Sequence, residues 1–217
     1  EARGGPLAEP LAEPLAEPLT EPLREPQRRA IEALLRWDFV RCPSGLVQMP
    51  CGVGKTRVAA ETMAALNPHT VVLVAPLKVL TKQFLERVAP YMPGHLPVLA
   101  DSDTTVRAVD VPILSDGPRV IATTFASFKM AQNLREIPGA LYFIDEAHNL
   151  NGDLLDLASA LPRCVMLTAT PPKALEEIAP VVFEYSMREA IDARFITDYK
   201  VILPVIDWHQ GFSWTEA

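Results

Sequence analysis

Leu46-Val47-Gln48-Met49-Pro50-Cys51-Gly52-Val53-Gly54-Lys55-Thr56 is the stretch that decides the fold of this chain. A short apolar run ends in a turn with two glycines, and the turn opens into helical spacing over 55–66. Glycines in such a loop let backbone N–H groups turn inward, and the helix N-terminus adds partial positive charge, so the loop can cradle phosphate. Pro50, Cys51, Gly52, Val53 and Gly54 would supply the cradle, Lys55 would reach the β- and γ-phosphates, and Thr56 would offer its hydroxyl to Mg2+. The general pattern has Gly where this chain has Met49, so the match rests on Gly52, Gly54, Lys55 and Thr56. A chance Gly-Lys-Thr turn is the alternative.

Outward from the loop, strands are expected at 46–49, 71–75, 98–100, 119–123, 141–144 and 164–168. They are apolar without polar alternation, as in a parallel sheet covered on both faces by helices. Between them, 55–66 and 78–88 have helical spacing, the second with Leu77, Leu80, Phe84, Leu85 and Val88 on one side. The pattern is βαβ: an α/β fold with an open, doubly wound, mostly parallel sheet between two helical layers. Right-handed crossovers build such sheets, and ligands bind at the carboxyl ends of the strands.

One strand end stands out. Leu141-Tyr142-Phe143-Ile144 runs into Asp145-Glu146-Ala147-His148. A carboxylate at the tip of a buried strand is costly unless a cation meets it, and Mg2+ carried by a nucleotide would do so, which makes Asp145 the metal partner. Glu146 is placed to accept a proton from attacking water, because phosphoryl transfer asks a protein chiefly for positioning and electrostatics. Two acids opening a solvated loop is the bland alternative.

Composition limits the remaining classes. The 217 residues exceed the usual ~150 per domain, which suits one sizeable domain with ends or part of a second. Hydrophobic residues at 49% and charged residues at 22% fit a globular chain, and a net charge of −7 excludes a histone-like basic binder while leaving room for a local positive groove. No apolar run approaches the ~18 to 20 residues that span a bilayer, and the start lacks a signal core, so a soluble, intracellular protein is expected. The first residue is Glu and not Met, as in an excerpt or a processed chain. Cys42, Cys51 and Cys164 are odd in number without a C-x-x-C pair, so they are expected to be small buried residues. Proline is in excess at 21, and six of these lie in residues 1–26, with six Glu against two Arg, so this stretch holds most of the formal charge. There Pro-Leu-x-Glu repeats five times, too proline-dense for a helix, and reads as an extended or disordered spacer or a partner-docking motif. Pro26 closes it, and an amphipathic helix is expected over 27–35.

Taken together, these residues resemble the first motor domain of superfamily 2 helicases and translocases of the DEAH-box-like, restriction-type kind. The loop from Met49 to Thr56 is similar to that family's first motif, in which the leading Gly is often absent. Asp145-Glu146-Ala147-His148 matches the second motif letter for letter, and Thr168-Ala169-Thr170, directly after a strand, resembles the third, which in the family links nucleotide and nucleic-acid sites. Ala75-Pro76-Leu77-Lys78 and Thr123-Thr124-Phe125 resemble motifs that hold the nucleic-acid backbone. For Lys78, Thr123 and Thr124 a capping or turn role is the alternative. Gln27 is similar to the glutamine that recognises adenine in many members, the alternative being a surface helix residue. The resemblance implies that His148 bridges the metal site to Gln27 or Thr168.

It further implies a RecA-like fold of the phosphate-loop type, with an ATP-binding helicase domain over 27–193 and a connector over 194–217 toward a second RecA-like domain whose arginines complete the site. The expected activity is ATP hydrolysis coupled to movement on nucleic acid, DNA ahead of RNA, through sequence-tolerant backbone contacts, with ATP and Mg2+ as cofactors. Slow turnover is expected without the second domain. A nucleotide-gated nucleic-acid-binding module without motor activity is the competing reading. The aromatic tail Trp208, Phe212 and Trp214 is expected to be partly exposed.

Overall fold

The computed structural model describes residues 21–102 and 117–198, and the backbone of 202–207 and 211–216. The Pro-Leu-x-Glu repeat through residue 20 and Trp208 lie outside the described residues, as do the side chains of Phe212 and Trp214.

Among the described residues seven strands form one sheet: β1 (Ser44–Gln48), β2 (Thr70–Ala75), β3 (Leu96–Leu99), β4 (Arg119–Thr124), β5 (Leu141–Ile144), β6 (Cys164–Thr168) and β7 (Val181–Glu184). Their order is β3-β4-β2-β5-β6-β1-β7, and every pairing is parallel. Six strands were expected and all are present, with β1 starting two residues earlier than expected and Met49 falling in the loop. The seventh, β7, escaped sequence reading because it is a four-residue edge strand with only Phe183 buried. A separate antiparallel pair, β8 (Ile202–Asp207) and β9 (Gly211–Glu216), follows.

The unbroken apolar runs have the expected cause, since side chains alternate between two buried faces. On one, Val47, Leu73, Val120, Phe143 and Leu167 pack beneath α1 (Glu25–Leu35), α2 (Lys55–Leu66) and α3 (Lys78–Val88). On the other, Leu46, Val72, Ile121, Tyr142 and Met166 pack beneath α4 (Phe125–Met130), α5 (Gln132–Arg135), α6 (Asp153–Ser159) and α7 (Lys173–Ile178). Tyr142 is fully buried, its hydroxyl donates to the Leu134 carbonyl at 2.9 Å, and burial pushes its pKa up to about 12. A last helix, α8 (Met187–Asp192), begins in a Ser186–Glu189 capping box.

Three expectations need correction. α1 begins at Glu25, so Pro26 sits in its first turn, where a fixed φ and a missing N–H cost nothing. Leu77 does not share the buried face of α3: it precedes the helix and is 61% exposed, and Thr81 joins Phe84, Leu85 and Val88 inside. Only Cys164 is buried, because Cys51 rides the turn after β1 and Cys42 lies in the loop before it.

Candidate nucleotide site at the carboxyl ends of the strands

The loop after β1 turns on two glycines in the left-handed region, Gly52 at φ 84° and Gly54 at φ 102°, and Gly54 leads directly into α2. Lys55 is buried, and its Nζ donates to the Met49 carbonyl at 3.2 Å and lies 3.8 Å from Cys51 Sγ. Thr56 opens the first turn of α2 beside it, half-exposed.

Beneath this loop lies Gln27, 5% exposed. Its Nε2 donates to the Val53 carbonyl at 2.9 Å, and its Oε1 accepts from the Arg24 N–H at 3.0 Å. The amide therefore caps α1 and props the loop at once. A Cβ on Gly54 would collide with that amide, so only glycine fits there.

β6 pairs with both β1 and β5, which brings their tips together. Asp145 continues β5, its N–H donating to the Val74 carbonyl at 2.8 Å. Its Oδ1 accepts from the Glu146 N–H at 3.0 Å. Burial, and then the neighbouring Glu146 charge, hold the Asp145 carboxyl above the usual carboxylate range. Glu146 itself is left-handed at φ 51°, a strained conformation for a non-glycine residue that re-aims its side chain.

His148 joins this strand end to the next. Its Nδ1 lies 3.2 Å from Thr168 Oγ1 and 3.3 Å from Glu146 Oε2. Asn149 Nδ2 is 3.2 Å from His148 Nε2, and an amide N–H donating there leaves Nδ1 to donate toward Thr168 and Glu146. Of the two bridges expected for His148, the structure has the one to Thr168. Thr168 in turn accepts from the Thr170 N–H at 3.3 Å, so Glu146, His148, Thr168 and Thr170 form one chain of contacts.

Lys78, Thr123 and Thr124 lie at the tips of β2 and β4, on the far side of β5 from the phosphate loop. Of these only Lys78 is exposed, its Nζ donating to Ser102 Oγ at 3.0 Å. Thr124 takes the capping role: its Oγ1 accepts from the Ser127 N–H at 3.2 Å at the start of α4. Thr123 is fully buried, with no hydrogen-bond partner for its hydroxyl.

Arg24 is the site residue that sequence reading missed. Its Nη1 donates to the Gly52 carbonyl at 3.3 Å, and its guanidinium lies 5.2 Å from the centre of the Phe195 ring. The available signal was position, three residues before Gln27 at the N-cap of α1.

Among the described residues no helix is long and apolar enough to cross a membrane. The chain is 24% identical over 181 residues to the DNA 3'-5' translocase XPB2 of Sulfurisphaera tokodaii, covering 78% of this chain and 38% of that protein. It thus spans about two fifths of the length of that relative. Its fold is similar to a nuclease-deletion mutant of the Type ISP restriction-modification enzyme LlaGI in complex with a DNA substrate mimic, with a TM-score of 0.62 and 18% identity over 81% of this chain and 21% of that one. It is also similar to S. cerevisiae Dbp5 L327V bound to RNA and ADP BeF3, with a TM-score of 0.58 and 22% identity over 74% of this chain and 45% of that one. The model of the family described as Type III restriction enzyme, res subunit, matches residues 20–173, most of the folded part. The chain therefore belongs to that family, and its seven-stranded domain has the RecA-like fold of superfamily 2 helicase and translocase cores.

Proposed function

We propose that this chain is the ATP-binding half of a DEAH-type, nucleic-acid-dependent motor that works inside the cell. The observation that carries the reading is the meeting of three strand tips: a glycine turn with a buried lysine after β1, two acids after β5, and a Thr-His link from β6 to the second acid.

The donor set suits Mg2+. Asp145 and Thr56 offer oxygen only, the preference of a hard divalent cation. Burial and the Glu146 charge outweigh the nearby Lys55 and His148 in holding the Asp145 carboxyl above the usual carboxylate range, so a cation beside it would relieve that cost. When bound with ATP, Mg2+ would neutralise charge on the phosphate oxygens.

The protein's own groups divide the remaining work. The N–H groups of the loop over 52–56 receive phosphate, and Lys55 exchanges its loop carbonyl for phosphate oxygen. Glu146 takes a proton from the attacking water on its carboxylate, held in place by the Nδ1–H of His148. Because His148 also faces Thr168, hydrolysis is sensed at the tip of β6. Lys78 meets a nucleic-acid phosphate at the tip of β2, a contact blind to base sequence. DNA is the favoured track, since the curated relative is described as a DNA translocase. A second domain supplies the missing transition-state charge, for which arginine fingers contribute roughly 10³ to 10⁵ in rate in related phosphoryl transfers.

Calorimetric titration of this chain with Mg-ATP tests the site. Lys55→Ala should abolish binding and Glu146→Gln should retain it. Equal binding by the wild type and Lys55→Ala would remove the loop from the account.

A further inference from the structure

Arg24 and Phe195 come from opposite ends of the described chain, yet they stack. The ring is held there by its backbone. Two residues past the end of α8, Arg194 is in the left-handed region at φ 59°; the Phe195 N–H then donates to the Ala190 carbonyl at 2.9 Å and the Arg194 N–H to the Ile191 carbonyl at 2.8 Å. This is a Schellman cap, which fixes the residue after the left-handed position. Phe195 is only partly buried and packs along the core beneath α1.

Arg24 is tied to the phosphate loop twice. Its guanidinium donates to the Gly52 carbonyl, and its N–H reaches the Val53 carbonyl through the Gln27 amide. Both residues belong to the turn whose N–H groups would receive phosphate. Movement of that turn therefore alters Arg24, and Arg24 is half of the stack that holds the segment following α8. A second stack, Arg29 over Phe183 at 5.6 Å, ties α1 to β7, so α1 is anchored on both sides of α8.

We propose that Phe195 is a positioning residue for bound nucleotide: by holding Arg24 against the phosphate loop, it couples that loop to the segment leaving α8. This rests on the reading of the loop as a nucleotide site. Linkage makes the coupling reciprocal. Nucleotide should steady residues 190–198, and loss of the aromatic face should break that connection while leaving the loop able to bind.

Hydrogen–deuterium exchange on the 217-residue chain, with and without Mg-ATPγS, tests this in the wild type, Phe195→Leu and Phe195→Tyr. Leu keeps an apolar contact and removes the π face, and Tyr restores it. Nucleotide should protect peptides over 49–57 in all three proteins. It should also slow exchange over 190–198 by about two- to five-fold in the wild type and Phe195→Tyr, with no slowing in Phe195→Leu. A purely structural role for Phe195 would change exchange there with and without nucleotide alike. Protection of the loop without any change over 190–198 in the wild type, or equal slowing in Phe195→Leu, overturns the coupling alone. A loop unprotected in the wild type overturns the nucleotide site, and the coupling with it.

Discussion

Gly54→Ala should be among the most damaging single-methyl changes in this protein, and the structure divides its effect into two parts. Gly54 sits at φ 102°, where an L-residue pays roughly 1–2 kcal/mol in backbone strain. Its new Cβ would also displace the Gln27 amide, which is buried and bonded to Val53 and Arg24. Leaving those buried groups unsatisfied costs about 1–3 kcal/mol more. The sum, about 2–5 kcal/mol, is a large fraction of the ~5–15 kcal/mol of a typical domain. Only the second part depends on Gln27. In a Gln27→Ala background, where the collision is gone, Gly54→Ala should cost only the strain, a coupling of about 1–3 kcal/mol in a double-mutant cycle. Urea denaturation of the four proteins measures it. Equal costs of Gly54→Ala in both backgrounds would refute the claim that Gln27 braces the phosphate turn.

Three further outcomes are expected. The folded state holds the Asp145 carboxyl above its ordinary range, so its contribution to stability is present at acid pH and lost as pH rises through the raised value. Asp145→Asn should therefore stabilise the nucleotide-free chain near neutral pH, with the gain shrinking as pH falls toward ~4; thermal unfolding across pH would show no such trend if burial were not the cause. Arg194→Gly should relieve the left-handed strain after α8 and stabilise by up to about 1 kcal/mol in denaturant, whereas a loss would mean that the arginine side chain matters more than the φ of 59°. Nucleic-acid binding should weaken with salt, and Lys78→Ala should lower the slope of log K against log salt by about one; an unchanged slope would take Lys78 off the phosphate contact.

The parts of the fold legible in the sequence were those whose signal is local and long. β5 and β6 appear at the expected residues, and α2 and α3 span 55–66 and 78–88 as their spacing indicated. Helices α4 to α8 have four to seven residues, too short to display a period of 3.6, and they passed unnoticed. β7 was hidden because an edge strand need bury only one side chain. Gly52, Gly54, Lys55, Thr56, Asp145 and Glu146 of the candidate site were singled out by residue type after apolar runs, and the structure places them at the ends of β1 and β5, on either side of β6. Thr124 and Thr123 look alike in the sequence, and only packing shows that one hydroxyl caps a helix while the other has no partner. Arg24 and its stack on Phe195 were illegible for a different reason: the contact joins residues far apart in sequence, and neither belongs to a local pattern that calls for the other.

The most direct test is steady-state ATP hydrolysis by this chain and by a version extended through the following domain, each with and without single- and double-stranded DNA or RNA. The account predicts that only the extended protein is strongly stimulated by nucleic acid, with DNA preferred, and that Glu146→Gln abolishes the stimulated rate. ATP binding by both versions with no hydrolysis under any of these conditions would contradict it, and would leave a nucleotide-gated binding module in place of a motor.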